Sequence, residues 1–417
     1  MLGRIPVHIV GMYPGSLGLT DRARSVLRRA QAVAGGKRML MALAALSTDD
    51  CPIKPDKLVP LGGDLEGGVE RIRQLSRTMR VCVLADGDPL FFGLGRKLVD
   101  ALGDEAVIIL PNVTTLQVAA SRLKTPWNDI PAVSLHGRDD YHPLFSALTR
   151  YDRVAVFTDS RNTPAAIAEA LLKRGVEGLS MTVLEDLDTP QERIRTLTLE
   201  EVWDCTFAAL NLVLLARHYP PETPLHLGMP DHYYLHEADC ITKQAVRACG
   251  LAMLAVQPTS VIWDLGAGSG SVAIEASHLA RLGRVFAVEK NRRRASMIKE
   301  NVRRFGAWLV EVLRGDMPEC LDELPNPDRI FIGGGLGGPD GRGKAVLAEA
   351  CNRLLPGGRL VAHCVLLDTL HLAKAFLEEQ GWNFGVTQLQ ASTADRLAGD
   401  LHFKAQNPVF IIWAEKP

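Results

Sequence analysis

Short apolar runs alternate along this chain with stretches whose apolar residues fall three or four positions apart. In the first half the runs are VHIV, VCVLAD, AVIIL, AVSLH and VAVFTD; in the second they are VIWDL, VFAVE, LVEVLRGD, RIFIGGG and RLVAHCV. Each reads as a buried strand. Residues 291–305 show the intervening pattern: Ala295, Ile298, Val302 and Phe305 form one stripe, and Arg292, Arg293, Arg294, Lys299 and Arg303 supply the polar remainder. Strands alternating with amphipathic helices predict parallel sheets covered on both faces, so both halves are expected to be α/β. Near the end, WNFGVTQLQ and NPVFIIWAEKP are separated by a stretch that reads as a loop, which lets these two strands pair antiparallel.

Residues 216–231, ARHYPPETPLHLGMPD, hold four prolines and neither period, and read as a linker. At 417 residues the chain suits two domains, placed at 1–218 and 219–417. An apolar content of 47% with 23% charged residues is that of a globular protein. A net charge of −1 provides no general field for nucleic acid or an anionic membrane, so neither is expected as a partner. The eight cysteines show no C-x-x-C and no zinc-like spacing; no metal site is expected, and Cys82 and Cys364, inside apolar runs, read as buried thiols. The start, MLGRIPVHIVG, goes directly into a strand and no apolar run reaches membrane-spanning length, which points to the reduced cytoplasm.

The chemistry concentrates at residues 261–275, VIWDLGAGSGSVAIE. An apolar run ends in Asp264, breaks into Gly266, Gly268 and Gly270, and enters a helix carrying Val272, Ala276 and Leu279 at helical spacing. Strand, glycine turn and helix start together let backbone approach a nucleotide-like ligand without Cβ interference. Glu289, closing the next strand, is placed to accept from two ribose hydroxyls. A dinucleotide fingerprint needs glycine at position 271, where this chain has Ser271, so a nicotinamide oxidoreductase is the weaker reading. The pattern resembles motif I of the class I S-adenosylmethionine methyltransferases. The remaining strand ends add Asp316, an acceptor for the adenine amino group, and Gly333, Gly334 and Gly335, which leave space for a methyl acceptor. Thr242 and Lys243 fall at a helix start just before this domain's first strand; Thr242 reads as an N-cap, as a contact for the methionine carboxylate, or both.

GMPD (228–231), ITKQAVRA (241–248), WDLGAGSGSVAIE (263–275), GDMPECL (315–321), DRIFIGGG (328–335) and LLPGGRLVAHCV (354–365) resemble the CbiT-type precorrin methyltransferases of cobalamin biosynthesis. HIVGMYPGSLGLT (8–20), VLADGDPLFFGLG (83–95), residues 111–138, FTDSRNTPAAIAEAL (157–171) and LEDLDTPQERI (184–194) resemble the CbiE branch of the tetrapyrrole methylase family. The implied architecture is a two-lobed tetrapyrrole methylase fold followed by a Rossmann-like class I methyltransferase domain. By matching motifs, the N-terminal positions facing S-adenosylmethionine are Pro14, Gly87, Asp88, Thr114, Thr115, Thr158 and Asp159. One departure stands out: the family's first loop usually reads G-x-G-P-G, and here Tyr13 replaces the middle glycine. Either the loop is reshaped or the ring lines the substrate cleft, which puts an unchanged C5 activity in question.

Together the two resemblances imply a bifunctional enzyme of corrin biosynthesis. It would methylate C5 and C15 of precorrin-6B, remove the carboxylate of the C12 acetate and yield precorrin-8, using two molecules of S-adenosylmethionine per chain. The alternative is a working C-terminal methyltransferase and decarboxylase with an N-terminal tetrapyrrole-binding or assembly module. The conjugated ring is its own electron sink, so no pyridoxal phosphate, thiamine or flavin is expected. An anionic tetrapyrrole calls for basic partners; the candidates are His136 and Arg138 in the N-terminal half and Lys243 and Arg247 in the C-terminal half. Lys243 and His363 are the candidate catalytic residues, His363 for proton transfer, although a core histidine is the other reading. Members resembling each half commonly self-associate, so a homo-oligomer is expected.

Overall fold

The computed structural model describes residues 5–16, 18–45, 57–62, 64–238, 240–337 and 341–417. Cys51 and the first four residues of the leading segment lie outside them. Two compact units emerge: Met1–Gly137, Arg153–Ile167 and Ser180–Ala216 form one, and Arg138–Asp152, Ala168–Leu179 and Arg217–Pro417 form the other. Among the described residues, no helix is long and apolar enough to cross a membrane.

The first sheet contains β1 (Val7–Met12), β2 (Ala32–Gly35), β3 (Leu58–Pro60), β4 (Val81–Asp86) and β5 (Val107–Leu110) in the order β3-β2-β4-β1-β5, every pair parallel. Alternate residues feed two cores, as the pleat requires. Val10, Met12, Cys82 and Leu84 enter one core, whereas Val7, Ile9, Val81 and Val83 enter the other. This is the doubly covered sheet that the continuous apolar runs predict.

The second sheet departs from the expectation of parallel strands. It contains β6 (Ala132–Ser134), β7 (Arg153–Phe157), β8 (Leu179–Glu185), β9 (Arg193–Thr198) and β10 (Asn211–Arg217) in the order β6-β7-β10-β8-β9. Strands β6 and β7 are parallel, but β7–β10 and β8–β9 are antiparallel. No crossover helix separates β8 from β9, and a direct connection can join only antiparallel neighbours.

The third sheet lies in the second unit. Its strands β11 (Val261–Leu265), β12 (Arg284–Val288), β13 (Val310–Leu313), β14 (Arg329–Ile332) and β15 (Arg359–Cys364) are parallel. With β16 (Asn383–Leu389) and β19 (Val409–Glu415), the order is β13-β12-β11-β14-β15-β19-β16, and the last two strands pair antiparallel as expected. What separates them is a hairpin rather than a loop: β17 (Ser392–Leu397) pairs with β18 (Asp400–Ala405). Its turn residues Ala398 and Gly399 both have positive φ, 52° and 89°, the requirement of a tight two-residue hairpin turn.

Helix Arg292–Phe305 buries Ala295, Ile298, Val302 and Phe305, the stripe read from the sequence. The Asn291 side chain caps it by accepting from the amides of Arg293 and Arg294, and Gly306 ends it at φ 61°. Lys243 holds the N-cap position of helix Gln244–Leu254 without a side-chain capping hydrogen bond, so Thr242 does not fill the N-cap position considered for it. Cys82 and Cys364 are buried free thiols; burial raises both, Cys364 to about 11.

Candidate functional site

Strand β11 is the point from which the third sheet grows in both directions, to β12 on one side and β14 on the other. A crevice opens at the carboxyl ends of strands arranged in this way. Here it is made by close backbone approach: a Cβ on Gly266 would lie 2.8 Å from the carbonyl carbon and oxygen of Gly334. The amides of Gly333 and Gly334 both donate to the carbonyl of Leu265, fixing the ends of β11 and β14 together.

A cavity of about 1290 Å³ occupies this position. Thr242, Lys243, Gly266, Gly268 and Glu289 line it, together with Asp316, Gly333, Gly334 and His363. Glu289 is 4% exposed and accepts from the amides of Gly268 at 3.0 Å and Asn291 at 2.9 Å, while Arg294 pairs with it at 3.2 Å. Asp316 is half exposed and pairs with Arg342 at 3.2 Å. His363 packs edge-on against Phe331, with ring centroids 4.6 Å apart. Both of its nitrogens are buried without a partner among the described residues, and burial lowers its pKa to about 4, so the ring is neutral at neutral pH.

Three expected site residues lie behind the cavity wall. Arg247 is fully buried and cannot meet a substrate: its guanidinium donates to Glu275 at 2.6 Å, to Asp231 at 3.1 Å, and to the carbonyls of Thr242 and Met229. Gly270 has φ 76°, and a Cβ there would come within 2.7 Å of Ile298, so this glycine lets two helices approach rather than admitting a ligand. Asp264, 1% exposed, accepts from the Ala273 amide at 2.9 Å and anchors the helix that follows the loop. Burial foremost, with the charge of Glu289 adding to it against that hydrogen bond, raises its pKa to about 7.

In the first unit the expected loops do meet. A Cβ on Gly11 would overlap the carbonyl of Gly87 and the amide of Asn112, and one on Gly87 would press on Val113 and Thr114. The Asn112 amide donates to the carbonyls of Gly11 and Gly18, tying the first loop down. Asp88 accepts from the Leu90 amide at 2.8 Å, and Thr114 caps helix Thr115–Leu123 in a capping box with Gln117. Pro14 sits in the turn that brings Gly15 against the carbonyl of Leu187.

Thr158 and Asp159 follow β7. The Thr158 hydroxyl donates to Asn211, and Nδ1 of His136 lies 3.4 Å from the Thr158 carbonyl. Desolvation pushes the Asp159 carboxyl upward, but the amides of Asn162, Gly137 and Arg161 outweigh it and hold its pKa at about 2. His136 and Arg138 are both exposed. Tyr13 needs no glycine-like conformation, since it is not among the described residues with positive φ. Its amide donates to the Gly18 carbonyl at 2.8 Å, and its half-buried ring packs with Phe91, Val113 and Phe157 on one core cluster.

The profile of the tetrapyrrole (corrin/porphyrin) methylases matches residues 6–202, and that of the precorrin methyltransferase domain matches residues 232–416. A Mycobacterium tuberculosis protein named precorrin-6Y C(5,15)-methyltransferase [decarboxylating] is 33% identical over 97% of this chain and 98% of its own length. The chain belongs to that family. A Sinorhizobium member of the same name is 35% identical over 85% of this chain and 83% of its own length. A Salmonella typhimurium protein named cobalt-precorrin-6B C(15)-methyltransferase (decarboxylating) is 35% identical over 45% of this chain and 96% of its own length. In the family's terms, a two-lobed tetrapyrrole methylase fold precedes a class I methyltransferase domain.

S-adenosylmethionine, which this methyltransferase family implies, fits the residues present. Gly266 and Gly268 leave a cradle beside a helix start, the Glu289 carboxylate borders the cavity, and the Ser269 hydroxyl, buried without a partner among the described residues, lies in its lining. Sequence reasoning passed over Ser269, Lys290, Arg342 and Gln406 and placed Arg294 only on the polar side of its helix; all five line the same cavity. Ser269 stood inside the quoted motif; the others sit at helix starts or in connections, where charged and polar residues carry no pattern.

Proposed function

We propose that this chain is a bifunctional methyltransferase of corrin biosynthesis, with one S-adenosylmethionine bound by residues 1–218 and another by residues 219–417. The first half methylates C5 of precorrin-6B. The second methylates C15 and removes the carboxylate of the C12 acetate, giving precorrin-8. The observation that carries this reading is the gathering of Thr242, Gly268, Glu289, Asp316 and His363 around one cavity.

S-adenosylmethionine supplies an electrophilic methyl group on a sulfonium when bound. In the C-terminal half, Gly266, Gly268 and Ser269 hold its amino-acid end, Glu289 accepts from the ribose hydroxyls, and Asp316 accepts from the adenine amino group. The carbon that attacks belongs to an electron-rich macrocycle, so the protein's part is mainly alignment and exclusion of water. Loss of CO2 breaks the bond between the acetate methylene and its carboxylate, and the electron pair enters the conjugated ring. A proton then completes the new methyl group. Lys243 is the candidate acid; neutral His363, whose two nitrogens have no partner among the described residues, is the candidate for relaying that proton.

In the N-terminal half, Pro14, Gly87, Asp88, Thr114, Thr115, Thr158 and Asp159 contact the cofactor, and Tyr13, His136 and Arg138 face the substrate. The active protein is a cytoplasmic homo-oligomer. The test is mass spectrometry of precorrin-6B incubated with the full chain and S-adenosylmethionine. Gain of two methyl groups with loss of one CO2 is expected; gain of one methyl with loss of CO2 would leave the N-terminal half as a binding module.

A further inference from the structure

Strands β17 and β18 are exposed at every residue, so no core accounts for this hairpin. An isolated two-stranded hairpin is marginal in water and contributes little to holding a domain together. The hairpin has two unlike faces. Residues directly opposite in an antiparallel pair share a face, and Thr393 stands opposite Lys404 and Asp395 opposite His402. The alternate face carries Ala394 opposite Phe403 and Arg396 opposite Leu401. Thr393, Asp395 and Lys404 from the polar face line the 1290 Å³ cavity, joined at the hairpin's base by Ala405 from the other face.

The size of that cavity bears on what they meet there. A pocket for a single small ligand is typically about 300–1,000 Å³, so this one has room beyond a single cofactor. Its lining also includes Gln406, whose side-chain oxygen is buried without a partner among the described residues. Lys404 has no ion pair among the described residues, in contrast to Arg294 and Arg342, which are engaged by Glu289 and Asp316.

We propose that the Ser392–Ala405 hairpin is a substrate arm: its polar face forms the outer wall of the C-terminal site, and Lys404 binds a carboxylate at the rim of the tetrapyrrole. The inference rests on the function proposed above. Asp395 shares the face and sets an opposing charge, which makes the arm selective for where a carboxylate sits rather than uniformly attractive.

The test uses the full chain with precorrin-6B and S-adenosylmethionine, reading CO2 release for the C-terminal site and S-adenosylhomocysteine affinity for the cofactor end. Lys404→Glu is expected to raise KM for CO2 release at least tenfold, Lys404→Arg to stay within about threefold of wild type, and Asp395→Asn, which removes the opposing charge, to lower KM. S-adenosylhomocysteine affinity stays within twofold throughout. An unchanged KM in Lys404→Glu overturns the arm, as does an Asp395→Asn KM that is unchanged or raised. If Lys404→Glu does not fold, Lys404→Ala carries the same test with a smaller rise expected. A wild-type chain that binds S-adenosylhomocysteine but releases no CO2 overturns instead the underlying function.

Discussion

The imidazole of His363 fills the space that a side chain on Gly250 would occupy: a Cβ there would overlap Nε2 and Cε1. Gly250 lies inside helix Gln244–Leu254, where glycine costs roughly 0.5–1 kcal/mol relative to alanine. Gly250→Ala would therefore stabilise the chain if nothing stood opposite. With the ring in place, it is expected to destabilise by about 1–3 kcal/mol, the usual cost of overpacking. In a His363→Ala background the sign should reverse. Urea unfolding of the four-member cycle measures the coupling; equal effects in both backgrounds would remove the contact from consideration.

Asp264 gives a pH signature. Its folded pKa of about 7 exceeds the ordinary carboxylate value of 3.8, so between them the folded chain keeps a proton that the unfolded chain has released. The stability Asp264 contributes is thus full at low pH and lost as pH rises toward 7. Asp264→Asn keeps an oxygen acceptor for the Ala273 amide and does not titrate. Its stability relative to wild type should grow between pH 4 and pH 8, by on the order of 2–4 kcal/mol. Thermal melts at several pH values check this, and a pH-independent difference would count against a buried, protonated Asp264.

Glu289 and Gly268, which line the cavity, test the proposed cofactor site. Glu289→Ala removes both the acceptor of the Gly268 amide and the carboxylate bordering the cavity. Calorimetry with S-adenosylhomocysteine should show two sites in wild type and at least tenfold weakening of one in the variant. Two unaltered sites would move the cofactor elsewhere.

Gly268 has φ 59°, a backbone conformation that a β-branched residue resists. Gly268→Val is expected to abolish CO2 release and C15 methylation, with C5 methylation still measurable by mass spectrometry. Full retention of both C-terminal reactions would contradict the placement of this site.

Arg247→Met leaves Glu275, itself fully buried, without its cation. Removing one partner of a buried pair costs about 3–5 kcal/mol, and chemical denaturation should show a loss of that order. A loss below about 1 kcal/mol would count against the Arg247–Glu275 contact as a pair that the fold depends on.

What could be read in advance follows from how burial marks a sequence. VIWDL, VFAVE and RIFI each hold a single charged residue among apolar ones because both faces of their sheet are covered, and the proposed site residues follow their carboxyl ends in chain order. The hairpin β17–β18 has no buried face: Asp400–Ala405 alternates polar and apolar residues but its partner Ser392–Leu397 does not, and the Ala398-Gly399 turn lacks the usual Asn-Gly or Asp-Gly signal. Arg247 looked like a ligand-facing cation because arginine seldom lies at zero exposure; its partner Glu275 is far along the chain and reads as an ordinary helix residue. Gly270 sits in a ligand motif yet is required by Ile298, a distinction that only packing reveals.

Glu275 has a consequence for anyone dissecting the chain. Its carboxylate collects the amides of Gly228 and Met229, the hydroxyl of Tyr234 and the guanidinium of Arg247. The residues just ahead of the methyltransferase domain are therefore clasped to the helix that follows its glycine loop. An excised fragment beginning at residue 232, where the family profile begins, would sever two of those four grips and also take from Arg247 its second carboxylate partner, Asp231, and the Met229 carbonyl. Expression of an autonomous C-terminal half should start upstream of Gly228.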